Sequence, residues 1–404
     1  MPFAIYILGL AVFAQGTSEF MLSGLVPDIA ADLNVSIPSA GALTSAFAVG
    51  MIVGAPSAAI LSLRWPRRTA LLVFLIVFML VHVLGAVTTS FGVLLATRVV
   101  GALANAGFLA VAIATATGMV AADAKGRATS VLLGGVTVAC VVGVPAGALL
   151  GQMWGWRAAF WAVALVCVPA VVAILRSVPA TVPATGPEGT AQAGAQGERA
   201  ATGPSARREL RALRDPRLIV TLLLGALVNG ATFCAFTYLA PLVTEVGGLG
   251  DGWVPVMLAL FGIGSFTGVT VAGRMSDARP VRLLLVGGPA LLAGWVLFAV
   301  AAGNPVAMVV LVFVQGALSF AVGSTLITRV LYAAAEAPSL GGAFATAALN
   351  VGAAAGPLLG GVAIGAGLGY RSPLWVGALL VALAFVIAGL ARAVRAERTL
   401  TTVS

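Results

Sequence analysis

The sequence predicts an all-α polytopic membrane protein, with twelve transmembrane helices arranged as two six-helix repeats. Three observations predict it. Of the 404 residues 60% are apolar and only 9% charged, with a mean hydropathy of +1.09. Apolar runs of about 18 residues or more, the length a helix needs to cross a bilayer, recur along the whole chain. The second half of the chain repeats landmarks of the first at a near-constant offset. A water-soluble chain of this size has no means of hiding so much apolar surface.

The runs place spans at 3–25, 38–62, 69–88, 92–120, 128–151, 158–175, 217–243, 253–273, 282–301, 305–328, 341–366 and 373–392. The first run has no basic leader and is too long for the apolar stretch of a signal peptide, so it is expected to remain as a helix. Arg and Lys set the orientation. With the N-terminus in the cytoplasm, the inner loops and C-terminal tail hold 19 of the 22 basic residues, the outer loops hold Arg157 and Arg371, and Arg98 lies within a span. Both termini are therefore expected in the cytoplasm of a multi-pass cell-membrane protein. The net charge of +9 is explained by this topology and by anionic lipid, not by nucleic acid.

Between spans six and seven, TVPATGPEGTAQAGAQGERAATGPSA is nearly free of large apolar residues and reads as a disordered linker. RRELRALRDPR follows as a short basic helix suited to the inner membrane surface. The expected organisation is an N-terminal bundle over 1–176, the linker and surface helix over 177–216, a C-terminal bundle over 217–393 and a tail over 394–404. The bundles are related. GWRAAFW at 155–161 matches GYRSPLW at 369–375, Pro66 matches Pro280, and Gly16 and Pro27 match Gly230 and Pro241, each at a shift of 214. GAL at 101–103 recurs at a shift of 215 and Pro145 recurs as Pro357 at 212. Parallel six-helix repeats are a transporter architecture, with the site between them near the midplane.

Two motif pairs fall at matching places in the halves. Span 5 carries Gly143, Pro145 and Gly147, and span 11 carries Gly352, Gly356 and Pro357. Glycines at this spacing let helices approach closely, and proline bends them, so the pair reads as a pivot. The loop after span 2 carries Arg64, Arg67 and Arg68, and the loop after span 8 carries Gly273, Arg274, Asp277 and Arg282. These basic turns are expected to cap helix ends, with Asp277 accepting at a helix terminus or pairing with an arginine across the bundles. The three cysteines and His82 fall inside spans, at no spacing that suggests a metal or redox pair. His82 reads as a lone polar group.

Gly273 to Arg282, Arg98 in span 4 and the Pro145/Gly147 pattern resemble the signatures of the major facilitator superfamily, and the span 5 pattern that of its drug/proton antiporters. AQGTSEFMLSGLVPDIA, TRVVGALANAGFLAVA, VPAGALLGQMWGWRAAFWA, FGIGSFTGVTVAGRMSD, GSTLITRVLYAA and ATAALNVGAAAGPLLGG are most similar to the chloramphenicol-resistance exporters of actinomycetes. The likeness covers nearly the whole chain outside 177–216. One departure is Ala59 and Leu63, where the superfamily pattern has Gly and Asp; the C-terminal copy keeps Gly273 and Asp277.

Glu19 is the only one of 13 acidic residues well inside a span, and a charge there is costly and usually functional. Glu19 and Arg98 each lie about seven residues from the outer end of their spans, roughly 10 Å deep. The resemblance implies that spans 1 and 4 both line the central cavity, so the two are expected to meet. Asn105 lies two turns from Arg98 on nearly the same face, and Gln15 one turn from Glu19. The repeat places Phe233, Phe313, Phe320 and Asn229 where the N-terminal half has Glu19, Arg98, Asn105 and Gln15. The expectation is a division of labour. Glu19 and Arg98 handle the proton, while Phe108, Phe233, Phe313 and Phe320 offer aromatic surface and Gln15, Asn105 and Asn229 hydrogen bonds.

The resemblance implies proton-coupled efflux of chloramphenicol or a related small neutral drug by a monomer, conferring antibiotic resistance. No cofactor is expected, the proton gradient being the energy source, and the partners are drug, protons and lipid. Export of sugars or other small metabolites is the alternative. An enzyme is not expected: the sequence has no nucleophile–base constellation, metal cluster or phosphate-binding loop. Nor is a channel or receptor, given the repeats, the Gly-Pro seams and the absence of an extramembrane domain.

Overall fold

The computed structural model describes residues 2–62, 65–177, 215–275, 280–333 and 341–401. Every regular element there is helical, as lipid demands of a backbone that must satisfy its own hydrogen bonds. Twelve helices are long and apolar enough to span: Phe3–Gly24, Ile37–Gly54, Arg67–Val87, Phe91–Gly118, Lys125–Trp154, Arg157–Ser177, Pro216–Thr237, Trp253–Met275, Arg282–Ala301, Pro305–Ala333, Phe344–Leu368 and Ser372–Val394. They are numbered spans 1 to 12. The side on which Phe3 begins span 1 is termed the near side and the opposite the far side.

Local chemistry sets several ends. Asp215 accepts from the Arg217 backbone N–H at 2.9 Å, with Pro216 in the first turn of span 7. Asn304 accepts from the N–H groups of Val306 and Ala307 ahead of Pro305 in span 10. Both are N-caps followed by proline, which has no donor to lose there. The paired GWR and GYR motifs each open on a glycine of positive φ, 81° at Gly155 and 74° at Gly369, a conformation other residues rarely adopt. Span 7 differs from the expectation of 217–243. Its helix stops at Thr237 and resumes through Leu239–Pro241 and a π turn at Leu242–Val246, because Pro241 cannot donate to the helix and crowds the carbonyl one turn back.

The repeat is visible in the packing. Span 1 lies on spans 5 and 6, span 2 on span 4 and span 3 on span 4; the corresponding pairs 7 with 11 and 12, 8 with 10 and 9 with 10 recur in the second half. Each half has its own apolar core, the first including Leu8, Leu25, Phe78, Phe108 and Phe160, the second Leu239, Met257, Trp295 and Leu374. The halves join along two seams, span 2 with span 11 and span 5 with span 8. Gly41 faces the Tyr238 ring, and Gly262 lies against the Cys140 carbonyl with no room for a Cβ. On the far side the Gln152 amide donates to the Asp251 carbonyl at 2.6 Å. The Gly-Pro motifs sit where helices approach backbone to backbone. Gly143 abuts Thr17 of span 1, and Gly352 and Gly356 abut the Ala226 and Gly230 carbonyls of span 7.

Candidate functional site

Glu19 lies in the last turn of the α-helix of span 1, which ends at Phe20 and tightens into a 3-10 turn over Met21–Gly24. The last carbonyls of an α-helix lack partners within it, and here an arginine from another span finds one. Arg98 is 1% exposed. It donates from one terminal nitrogen to the Ser18 hydroxyl and from the other to the Ser18 carbonyl, both at 2.8 Å. Its guanidinium stands 4.5 Å over the Phe47 ring of span 2, a cation–π contact strengthened by the lack of water. Thus Arg98 is beside Glu19 but bonded to its neighbour. Glu19 and Arg98 lie within electrostatic reach of each other, but among the described residues the one contact ion pair is Arg157 with Asp32. Consecutive residues point about 100° apart on a helix, and Arg98 approaches from the Ser18 side. Glu19 is half-buried.

Phe20 faces the other way, across the boundary between the halves. Its ring lies 5.7 Å from Phe233 and 6.4 Å from Phe236. Phe236 is 4.6 Å from Phe261, which meets Phe320 edge-on at 6.2 Å. These five rings, with Thr232, Ser265 and Cys140, line one small pocket. Of the residues expected to offer aromatic surface, Phe233 and Phe320 are here. Phe108 is not: it is fully buried in the N-terminal core. Phe313 makes no aromatic pair among the described residues, and its backbone packs against Gly264.

The amides are dispersed. Asn229 donates to the Leu349 carbonyl at 2.7 Å and so ties span 7 to span 11. Asn105 is buried against the Met51 sulfur at 3.6 Å. Gln15 is 1% exposed, and neither end of its amide has a partner among the described residues. Of the basic loops, Arg67 donates to the Ala114 carbonyl and Arg68 to the Leu175 carbonyl, capping the C-terminal turns of spans 4 and 6, where cations are favoured. Gly273, Arg274 and Arg282 are exposed. Arg64 and Asp277 lie outside the described residues.

The Major Facilitator Superfamily profile matches residues 8–288. This chain belongs to the Major Facilitator Superfamily. It is 60% identical, over 96% of each chain, to a chloramphenicol resistance protein of Streptomyces lividans. It is 34% identical to the inner membrane transport protein YdhP of Escherichia coli K12, over 94% of this chain and 93% of that one. A D-xylose-proton symporter crystal structure superposes with a TM-score of 0.73 at 16% identity, covering 95% of this chain and 97% of that one; at that identity it bears on the fold alone. This superfamily member is a multi-pass membrane transporter of small molecules, not an enzyme.

Two parts of the superfamily chain's site are not evident in its sequence. His82 is not a lone polar group. It is 2% exposed, its Nε2 meets the Ser18 hydroxyl at 2.6 Å and its Nδ1 the Phe78 carbonyl at 2.7 Å. Its partners come from another helix and from one turn back on its own, and only a polar residue in an apolar span signals them. On the far side, Asp28, Asp32, Glu245 and Asp251 line a basin between the halves. Arg157 and Trp156 bond Asp32, and the arginine holds its carboxyl below the usual carboxylate range. Burial, and then the nearby Asp251, push the Asp28 carboxyl up. The basin draws on loops far apart in sequence.

Proposed function

We propose that this chain exports chloramphenicol, or a related small neutral drug, from the cell by proton-coupled alternating access, acting as a monomer with both termini in the cytoplasm. The observation that carries the drug class is the 60% identity over nearly the whole length to a chloramphenicol resistance protein. The geometry supports a division of labour. Glu19 is half-buried with no hydrogen bond or ion pair among the described residues, and beside it Phe20 opens the aromatic pocket completed by Phe233 and Phe320. A half-buried carboxylate about 10 Å inside the far end of its span is placed to take a proton on one side and lose it on the other, and stacked rings suit an aromatic drug. Drug binding favours the deprotonated carboxylate, and protonation favours drug release. A charge descending 100 mV supplies about 2.3 kcal/mol, and one pH unit adds about 1.4 kcal/mol. Their sum supports a gradient above a hundredfold, at about 1.4 kcal/mol per tenfold.

The test is uptake of labelled chloramphenicol into everted membrane vesicles with an acid interior. Wild type is expected to accumulate drug only with the pH gradient, and Glu19→Gln to lose that dependence. Gradient-driven accumulation by Glu19→Gln would remove Glu19 from the coupling. No uptake by wild type would overturn the drug assignment and turn the search to sugars and other small metabolites.

A further inference from the structure

Three fully buried polar side chains from three spans are joined in one chain of hydrogen bonds, and their donor and acceptor roles can be assigned from their partners. The Phe78 carbonyl can only accept, so His82 carries a proton on Nδ1. Arg98 can only donate, so Ser18 Oγ accepts from it. The remaining bond joins Ser18 Oγ and His82 Nε2. If His82 were a cation, Nε2 would also donate, placing two cations on either side of one buried hydroxyl. With His82 neutral, the Ser18 hydroxyl proton goes to Nε2 and every bond in the chain has one donor and one acceptor. Phe78 and Phe160 flank the imidazole with ring centroids at 4.2 and 5.8 Å, fixing its plane.

We propose that His82 is a positioning residue: as a neutral acceptor it orients the Ser18 hydroxyl to receive Arg98, and so keeps the arginine off the adjacent Glu19 carboxylate. The inference rests on Glu19 as the proton carrier. It supplies what that role needs and the sequence does not show, a reason why a buried arginine beside a carboxylate does not close an ion pair. The other groups near Glu19 offer no substitute. Span 5 brings the Cys140 thiol within electrostatic reach, and spans 2 and 11 carry no titratable residue between Ile37 and Gly54 or between Phe344 and Leu368. Span 7 has Cys234, bonded to the Pro373 carbonyl, and Arg217 at its near end.

The experiment needs no drug, so its failure is distinct from failure of the drug assignment. The carboxyl stretch of Glu19, assigned with Glu19→Gln, is titrated by infrared spectroscopy on purified protein in lipid. In His82→Leu and Ser18→Ala, Arg98 keeps its bond to the Ser18 carbonyl but loses the oriented hydroxyl, which leaves one terminal nitrogen to turn to Glu19, and an opposite charge in contact moves a carboxyl midpoint by about one to three pH units. Both variants are expected to protonate Glu19 at lower pH than wild type, with the double variant no further shifted. His82→Gln, which keeps an acceptor, is expected to restore the wild-type midpoint. Unchanged midpoints, or a shift to higher pH, would overturn the proposal and leave His82 a packing residue. A second reading needs no variant. His82 is the only histidine in the chain, so nitrogen-15 histidine NMR of wild type with a histidine-free tag reports it alone. The Nδ1–H tautomer is expected throughout the Glu19 titration, and a doubly protonated ring in that range would overturn the proposal even if the variants do not fold.

Discussion

The ring of Phe20 in the first half lies 5.7 Å from the ring of Phe233 in the second, one residue along the helix from the carboxylate of Glu19. A group that binds between these rings touches both halves at once and sits beside the one carboxylate deep in the membrane. Aromatic pairing of this kind contributes about 0.5–1.5 kcal/mol beyond area burial. Phe233→Ala is therefore expected to raise the apparent KM for chloramphenicol about two- to tenfold in vesicles, whereas Phe313→Ala, outside the pocket, leaves it near wild type. Equal effects from the two would remove the pocket from substrate binding.

At Gly262 the backbone of span 8 touches the Cys140 carbonyl of span 5. Gly262→Val places two methyl groups where a Cβ already does not fit. Overpacking of this kind costs about 1–3 kcal/mol, which is expected to push the halves toward an arrangement open on the far side. Ser45, 3% exposed in this structure, is the reporter. Labelling of Ser45→Cys by a membrane-impermeant thiol reagent applied to the far side is expected to rise at least several-fold in the Gly262→Val background. An unchanged rate would mean that this seam does not hold the far side shut.

The far-side basin carries a pH dependence of two opposing signs. Asp32 has its carboxyl lowered, first by the Arg157 hydrogen bond. Its contribution is present above the ordinary carboxylate range and is lost only as pH falls through the lowered value. Asp28 has its carboxyl raised, first by burial and then by Asp251, so its ionised form opposes this structure once pH rises through that value. Thermal melts in lipid should separate them. Asp32→Asn is expected to lower the melting temperature at neutral pH and to have little effect in strong acid. Asp28→Asn is expected to raise it at neutral pH, with the gain vanishing on acidification. A fall in both variants at neutral pH would contradict the assignment for Asp28.

The spans were legible because length and apolarity alone specify a helix in lipid: with the helix of span 2 running Ile37–Ser62, all twelve lie within about three residues of expectation except span 7, which breaks at Tyr238, and span 10, which runs on to Ala333. The repeat was legible because glycine and proline act locally: Gly155 and Gly369 share a backbone conformation as well as a motif. Glu19 stood out by the rarity of carboxylates in spans. Its relation to Arg98 did not, since one residue along a helix decides whether an arginine meets a carboxylate or a serine, and depth estimates do not resolve that rotation. Phe108 shows the same limit from the other direction. His82 was undervalued because Ser18, its partner, stands 64 residues away and is unremarkable by itself.

The π turn at Ala139–Gly143 sits between the near half of span 5, which packs on span 1, and the far half, which meets span 8. A π turn holds one residue more than an α turn, so the two halves of span 5 are out of phase by roughly 100°. That phase offset lets a single helix present one small-residue face to its own bundle and another to the opposite bundle. Span 5 therefore works as a two-sided gear, and removing one residue from 139–143 would leave every side chain from Pro145 to Trp154 chemically intact yet facing the wrong neighbour.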